Sequence, residues 1–156
     1  MNRSAGLILK KAIVLLVEDN PDDELLAMRA LKKANISCQV DVVRDGQEAL
    51  DYLFAQGNFA ERNIDDQPRV VFLDLNLPKI NGIEVLKQVR SNDITRKLPV
   101  VLLTSSENTK DIEDGYTNGV NSYIKKPVDF TTFIEQIKLM GEYWLTVNRI
   151  PDHLSR

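Results

Sequence analysis

Five short apolar runs recur along the chain, and each has the length of a β-strand. The first and the third are continuous runs of Val, Ile, Leu, Ala and Phe, which is typical of strands buried on both faces of a parallel sheet. The third run is the clearest, because it ends in a single carboxylate, Asp74, and turn residues follow at once. The predicted strands cover residues 12–17, 39–43, 70–74, 99–103 and 122–124.

Between these runs the apolar residues recur at a spacing of three or four, which predicts amphipathic helices. The first helix, up to about residue 34, has Asn20 as a favourable N-cap and Pro21 at its first position. The fourth, about residues 109–118, is only weakly amphipathic, and the fifth covers about residues 130–147. The predicted core stripes are Leu25, Met28 and Leu31 in the first helix, Ala49, Leu50, Leu53 and Phe54 in the second, Ile83, Leu86 and Val89 in the third, and Phe130, Phe133, Ile134, Ile137 and Trp144 in the fifth.

Strands that alternate with helices predict one α/β domain built on a doubly wound parallel sheet. Right-handed crossovers and short connections favour the flavodoxin-like strand order 2-1-3-4-5, with five flanking helices. We assign residues 12–147 to this domain, residues 1–11 to an N-terminal arm and residues 148–156 to a C-terminal tail. In this order the first and third strands are neighbours, so the residues at their C-terminal ends should meet at one edge of the sheet.

The composition is that of an ordinary globular protein and narrows the classes of partner. The 156 residues are 43% hydrophobic and 28% charged with a formal net charge of −3, which disfavours direct nucleic-acid binding. No apolar run approaches the roughly 18 residues of a membrane span. An acidic turn follows the first apolar run, where a signal peptide would have a cleavage site of small residues. The single cysteine, Cys38, has no internal partner and is expected to be a small buried strand residue. We expect a cytoplasmic protein with no membrane partner.

Three carboxylates, Glu18, Asp19 and Asp74, follow the two strands predicted to lie side by side. Carboxylates packed together repel one another, and a hard divalent cation removes that repulsion. Magnesium prefers carboxylate and carbonyl oxygens and often bridges to phosphate, so these residues are candidate magnesium ligands. For Glu18 and Asp19 alone, helix capping or a solvated loop charge is an equally good interpretation.

Two other strand ends supply a hydroxyl, Thr104, and an ammonium, Lys126. Taken singly, each has a simpler interpretation, as a hydroxyl that caps a turn and as an exposed loop lysine. Taken together around Asp74, they complete the set needed to phosphorylate that carboxylate. Asp74 is then the nucleophile, while magnesium and Lys126 offset charge on the phosphoryl oxygens.

These residues also stand in the pattern of a known family, because the chain resembles the receiver domains of two-component response regulators over about residues 12–147. Glu18-Asp19 matches the acidic pair of the family, and Asp74, Pro78 and Gly82 match its Asp-x-x-x-Pro-x-x-x-Gly motif. Thr104-Ser105 matches the pair of Thr and a small residue, and Lys126-Pro127 matches the Lys-Pro pair. Many members have Asp where Glu18 stands, which is a familiar variation. The resemblance also implies a backbone-carbonyl metal ligand at Asn76 and a cis peptide bond between Lys126 and Pro127.

The resemblance implies a phosphorelay step in which Asp74 accepts a phosphoryl group from a histidine kinase, with magnesium held by the three carboxylates. Thr104 would then swing toward the acyl phosphate, and Tyr123 would rotate inward as the aromatic switch residue. A tyrosine that merely packs on an edge strand is the alternative for Tyr123. Asn76 and Ser106 occupy positions at which family members tune the lifetime of the phosphate.

Two departures from a minimal receiver resemble a subgroup, the stand-alone receivers that pair with phytochrome-type photoreceptor kinases. One is the longer, irregular connection over residues 56–69, and the other is the extended last helix. Only about nine residues follow that helix, so we expect no output domain, and His153 lacks the apolar helical setting of a relay histidine. Leu139, Tyr143 and Ile150 are either scattered exposed apolar residues or a homodimer contact.

Three other functions use similar parts. Haloacid-dehalogenase-type phosphatases also use a strand-end Asp, but they need a second Asp where this chain has Asn76, so we do not expect an enzyme. A flavodoxin-like flavin site needs a Gly-rich or Ser/Thr-rich turn instead of the acidic one after the first strand. A receiver that docks a partner without phosphorylation is the remaining alternative.

Overall fold

The computed structural model describes residues 11–34 and 36–151, and within them the chain forms the predicted alternation of strands and helices. The strands are β1 (Ala12–Val17), β2 (Cys38–Val43), β3 (Val70–Asp74), β4 (Val100–Thr104) and β5 (Ser122–Lys125). The helices are α1 (Pro21–Lys33), α2 (Gly46–Leu53), α3 (Gly82–Ser91), α4 (Thr109–Thr117) and α5 (Phe130–Glu142). His153 and residues 1–10 of the predicted arm lie outside the described residues.

The five strands form one parallel sheet in the order β2-β1-β3-β4-β5, which confirms the predicted flavodoxin-like topology. Every residue of β3 and of β4 is buried, as the continuous apolar runs predicted for central strands. In register, Val17 of β1 pairs with Leu73 of β3, and Asp74 of β3 pairs with Leu103 of β4. The chain therefore leaves β1, β3 and β4 at the same edge of the sheet.

Helices cover both faces of the sheet and give the domain two apolar cores. The core under α1 and α5 includes Phe72 and Ile137, and the core under α2 and α3 includes Leu73 and Leu86. The fourth helix contributes little to either core, since Gly115 is its one buried residue. The predicted weak amphipathicity of α4 is wrong, because its polar and apolar residues are segregated about as clearly as those of α3. Its single buried residue nevertheless leaves it loosely packed, which suits an element that moves.

Each helix begins at an Asn or Asp whose side chain accepts hydrogen bonds from the first turn. The predicted cap, Asn20, accepts bonds from the backbone nitrogens of Asp22 and Asp23 at 2.9 and 3.2 Å. Such caps satisfy amide groups that have no partner within the helix. The caps of the five helices are Asn20, Asp45, Asn81, Asn108 and Asp129.

In α1 and α5, one residue predicted to lie in the core is exposed. Phe130, the first residue of α5, is 68% exposed, and Leu25 of α1 is 55% exposed. Phe130 lies in the first turn of α5, at the edge of the sheet, where little core lies beneath it. In α1 the buried residues are Ala27, Ala30 and Leu31, so the buried face is turned away from Leu25. Phe133, Ile137 and Trp144 of the predicted stripe are buried as expected.

The last helix changes its winding near its end. After Glu142 the chain forms a π-helical turn over Tyr143–Val147, in which the backbone nitrogen of Asn148 donates to the carbonyl of Tyr143 at 2.7 Å. Trp144 and Leu145 are both buried there. Ile150, expected to extend an exposed surface, instead packs partly buried against the α2–α3 core.

The long connection between α2 and β3 is held against α2 by polar contacts. It contains a 3₁₀ turn at Gly57–Phe59, and buried Gln67 donates to the carbonyls of Leu53 and Ile64 at 2.9 and 2.6 Å. The guanidinium of Arg62 lies 3.6 Å from the ring centre of Tyr52. The connection thus packs against α2.

Among the described residues, no helix is both long and apolar enough to span a membrane.

A carboxylate and lysine site at the edge of the sheet

The structure brings Glu18, Asp19 and Asp74 together at the C-terminal edge of the sheet. One carboxylate oxygen from each lies within 4.8 Å of the others. Glu18 and Asp74 directly continue or end the paired strands β1 and β3, so the register of that pair fixes their proximity. The two are buried, while Asp19 is exposed. The site therefore has a closed side in the protein and an open side toward solvent.

Glu18 is the most deeply buried of the three, with 2% of its surface exposed. Its Oε1 accepts a hydrogen bond from Lys126 Nζ at 2.7 Å, and its Oε2 accepts one from the backbone nitrogen of Asn20 at 3.2 Å. Burial raises the pKa of Glu18 to about 7, with a contribution from the negative charge of Asp74, although Lys126 opposes the rise. Near neutral pH, a bound cation must therefore compete with a proton for this carboxylate.

Lys126 reaches the same site from the residue that follows β5. Its ammonium lies 2.7 Å from Glu18 Oε1, 2.9 Å from Asp23 Oδ2 and 3.4 Å from Asp74 Oδ2. Burial alone would lower the pKa of Lys126, but the hydrogen bonds to Asp23 and Glu18 outweigh it and raise the pKa. Lys126 therefore stays protonated and supplies a positive charge among the carboxylates.

Asp74 is held at the end of β3 by a tight turn. The backbone nitrogen of Asn76 donates to Asp74 Oδ1 at 3.3 Å, and the nitrogen of Gly82 donates to the carbonyl of Leu75 at 2.8 Å. A β-carbon on Gly82 would lie 2.5 Å from the Asp74 carbonyl oxygen, so this approach requires glycine. Asn76 is exposed at the start of the turn.

Thr104 and Tyr123 are connected through Ser106. Thr104 is fully buried, and its Oγ1 accepts a hydrogen bond from the backbone nitrogen of Ser106 at 3.2 Å. The hydroxyl of half-buried Tyr123 donates to the carbonyl of Ser106 at 3.2 Å, and Ser106 Oγ donates to Asp111 of α4 at 2.6 Å. One short segment therefore links Thr104, Tyr123 and the loosely packed α4.

One expectation from the family resemblance is wrong for this structure. No peptide bond among the described residues is cis, so the bond between Lys126 and Pro127 is trans. The backbone nitrogen of Lys126 donates to the carbonyl of Thr104 at 2.7 Å, which fixes Lys126 beside the end of β4 with the trans bond in place.

Asp23 also belongs to the site, although it was not among the residues predicted from the sequence. It is the third residue of α1, where an acidic side chain is explained equally well by the helix dipole. Its contact with Lys126 spans 103 residues of sequence. Its position in the sequence could have indicated this role. Because α1 begins directly after the acidic turn, its first turn must lie at the same edge of the sheet as that turn.

The donor set fits a hard divalent cation. Glu18, Asp19 and Asp74 offer only carboxylate oxygens, which are the ligands that magnesium, calcium and manganese prefer. Lys126 contacts the carboxylates of Glu18, Asp23 and Asp74, and Asp19 is a fourth carboxylate beside Glu18 and Asp74. The site therefore has more acidic than basic groups, and a cation would reduce the repulsion between them. The residues present thus fit a metal of this class.

Comparison with known proteins identifies the family. The family model described as the response regulator receiver domain matches residues 14–138. The chain is 42% identical over 139 residues to the probable methanogenesis regulatory protein FilR2 of Methanothrix harundinacea, a match that covers 89% of this chain and 87% of FilR2. It is 33% identical over 139 residues to the response regulator Rcp1 of Synechocystis, covering 89% of this chain and 92% of Rcp1.

Solved structures show the same relationship. The phosphorylated cyanobacterial phytochrome response regulator RcpA matches with a TM-score of 0.85 and 36% identity, covering 92% of this chain and 100% of RcpA. The Mn²⁺-bound form of Rcp1 matches with a TM-score of 0.84 and 33% identity, covering 90% of this chain and 99% of the Rcp1 chain. The chain therefore belongs to the response regulator receiver domain family and is a signalling protein of two-component systems rather than an enzyme.

Proposed function

We propose that this receiver domain accepts a phosphoryl group on Asp74 from a phosphohistidine of a partner histidine kinase. The observation that carries the proposal is the setting of Asp74, which ends β3 beside Glu18 and Asp19 with Lys126 Nζ 3.4 Å from its Oδ2. A carboxylate with an ammonium and an oxygen-donor cluster beside it has what phosphoryl transfer requires, namely a nucleophile and countercharge.

The transfer requires little covalent chemistry from the protein. A carboxylate oxygen of Asp74 attacks the phosphorus, and the bond between phosphorus and the kinase histidine nitrogen breaks, leaving its electron pair on that nitrogen. Lys126 is placed to donate to an oxygen of the phosphoryl group on Asp74. Thr104 ends the neighbouring strand β4, one residue after Leu103, which pairs with Asp74.

We propose magnesium as the cation, held by Glu18, Asp19 and Asp74 with the backbone carbonyl of Asn76 as a further ligand. When bound, it supplies positive charge that offsets the charge of the phosphoryl oxygens. The all-carboxylate donor set and the Mn²⁺-bound form of the similar Rcp1 support a divalent cation at this site.

The output is a change of surface. We propose that Thr104 moves toward the phosphoryl group and releases the backbone nitrogen of Ser106, and that Tyr123 then rotates inward. Because Ser106 also holds Asp111, this movement reaches α4, which has a single buried residue to resist it. The face of α4, β5 and α5 is thereby altered for a partner.

We propose a phytochrome-type photoreceptor kinase as the partner kinase, encountered in the cytoplasm, and a receiver unit that spans residues 12–147. The similarity to Rcp1 and to the phytochrome response regulator RcpA supports this, as do the ordered connection after α2 and the extended last helix.

We also propose a homodimer through the end of the last helix. Leu139, Tyr143 and Val147 lie four residues apart and are 59%, 44% and 65% exposed, so they form one apolar stripe along the helix. Such a stripe is self-complementary when two copies meet around a two-fold axis. Val147 takes the place in this surface that the sequence analysis had given to Ile150.

Intact-mass spectrometry after incubation with Mg²⁺ and a small phosphodonor tests the central proposal. We expect one added phosphoryl group on the wild type and none on Asp74→Asn. A wild type that binds Mg²⁺ but takes up neither a phosphoryl group nor beryllofluoride would favour the alternative function, a receiver that docks its partner without phosphorylation.

A further inference from the structure

The ammonium of Lys126 is shared between the sheet and helix α1. Two of its three partners, Glu18 and Asp74, belong to the carboxylate cluster that fits a metal. The third, Asp23, lies in the first turn of α1, and its Oδ2 is 2.9 Å from Lys126 Nζ. Asp23 is therefore a partner of Lys126 outside the set that we assign to the cation.

The contacts place the resting ammonium nearer to Asp23 than to the nucleophile. Nζ lies 2.9 Å from Asp23 but 3.4 Å from Asp74. The side chains of Lys126 and Asp23 are 12% and 28% exposed, so water screens their attraction only partly. A phosphoryl group on Asp74 would bring new anionic oxygens to the same ammonium, in competition with this carboxylate.

We propose that Asp23 is a positioning residue that holds Lys126 on α1 in the resting protein and competes with the phosphoryl group for it. This inference rests on the proposed phosphorylation of Asp74. Removal of the Asp23 charge should let Lys126 move toward Asp74 and should strengthen the binding of a phosphoryl group there.

A second consequence concerns α1 itself. When Lys126 turns to the phosphoryl group, the Asp23 carboxylate loses its cationic partner at the N-terminal end of α1. The charge presented by the first turn of that helix therefore depends on the state of Asp74.

Calorimetric titration with beryllofluoride at saturating Mg²⁺ measures the competition, because this anion mimics a phosphoryl group on a carboxylate. We expect Asp23→Asn to bind beryllofluoride about threefold more tightly than the wild type, from the typical strength of a partly exposed ion pair. Asp22→Asn is the matched control, since it removes the same charge from the same helical turn at an exposed residue with no bond to Lys126. We expect that control to stay close to the wild type.

A double-mutant cycle separates competition for Lys126 from a general effect of charge. In a Lys126→Ala background, Asp23→Asn should no longer change beryllofluoride affinity beyond the change seen for Asp22→Asn. The inference is overturned if Asp23→Asn binds no more tightly than Asp22→Asn, or if its effect persists without Lys126. A second variant, Asp23→Ser, serves if Asp23→Asn does not fold. A wild type that binds Mg²⁺ but no beryllofluoride would overturn the proposed function as well, whereas a wild type that binds both leaves that function standing.

Discussion

Lys126 Nζ lies 2.7 Å from Glu18 Oε1, although 108 residues separate the two in the chain. The contact exists because β1 and β5 end at the same edge of one parallel sheet, with β3 and β4 between them. The topology thus builds a site from side chains that no local segment contains. It also makes the charge of Glu18 depend on what else occupies the site.

The raised pKa of Glu18 predicts that cation binding depends on pH. Because burial raises this pKa to about 7, a growing fraction of the cation-free protein carries a protonated Glu18 as the pH falls from about 8 to 6. A cation needs the ionised carboxylate, so Mg²⁺ affinity should fall across this range, approaching about tenfold per pH unit at the acidic end. Calorimetric titration with Mg²⁺ at several pH values measures this dependence of affinity on pH. Glu18→Gln should bind more weakly at high pH with a flatter profile, and a flat wild-type profile would contradict the assignment.

Thr104 is expected to connect phosphorylation to Tyr123 without being needed for phosphoryl uptake. Thr104→Ala removes the hydroxyl that accepts from Ser106, so the mass of the phosphorylated protein should still appear while the response of Tyr123 is lost. The resonances of the Tyr123 ring, recorded by NMR with and without beryllofluoride, report that response. Ser105→Ala, at the exposed neighbouring residue, is the control and should respond as the wild type does. An unchanged ring response in Thr104→Ala would rule out this link.

Arg90 stabilises the opposite edge of the sheet. Its guanidinium donates to the carbonyls of Gly119, Arg96 and Leu98 and to Asn121 Oδ1, at distances between 2.7 and 3.1 Å. Arg90→Met removes the guanidinium donor from the three carbonyls, while Asn121 Oδ1 still accepts from the backbone nitrogen of Val100, and it should lower the free energy of unfolding by about 1–3 kcal/mol.

Urea unfolding measures the effect, and Arg96→Met provides the comparison. Arg96 is 55% exposed and makes one ion pair at 3.8 Å, so its loss should cost less than about 0.5 kcal/mol. Equal unfolding midpoints for the two variants would show that the Arg90 network does not stabilise the fold.

The exposed stripe on the last helix predicts a dimer that charge would disrupt. Tyr143→Glu introduces a carboxylate in the middle of the stripe, so light scattering should report a smaller species than for the wild type. Tyr116→Glu makes the same change at a residue of α4 that is 53% exposed and lies outside the stripe, and it should leave the mass unchanged. A monomeric wild type, or a Tyr143→Glu variant of unchanged mass, would refute the dimer.

The strand pattern could be predicted from the sequence because the central strands are buried on both faces. Continuous apolar runs leave one interpretation for β3 and β4, and the turn residues after Asp74 fix where β3 ends. Once the strand order follows from short right-handed connections, the meeting of Glu18, Asp19 and Asp74 follows too.

The burial of individual helix residues, and the part that Asp23 has in the site, depend on where each helix lies over the sheet. The periodicity of the sequence does not specify that position. Phe130 has the spacing of a core residue but sits on a first turn at the edge, so it is exposed. Asp23 has the composition of a dipole-stabilising residue, and only the tertiary position of Lys126 makes it part of the site. The sequence around Pro127 does not decide between a cis and a trans bond, and the expected cis bond came from the family resemblance alone. The structure has the trans bond.

Chemical trapping of the phosphorylated residue tests most directly whether Asp74 is the phosphoacceptor. Borohydride reduces an aspartyl phosphate to homoserine, so treatment after incubation with Mg²⁺ and a phosphodonor marks the modified position for peptide mass mapping. We expect homoserine at position 74 and at no other carboxylate, with no conversion in untreated protein. Homoserine at another residue, or full phosphoryl uptake with position 74 unmodified, would contradict the assignment of Asp74 as the phosphoacceptor.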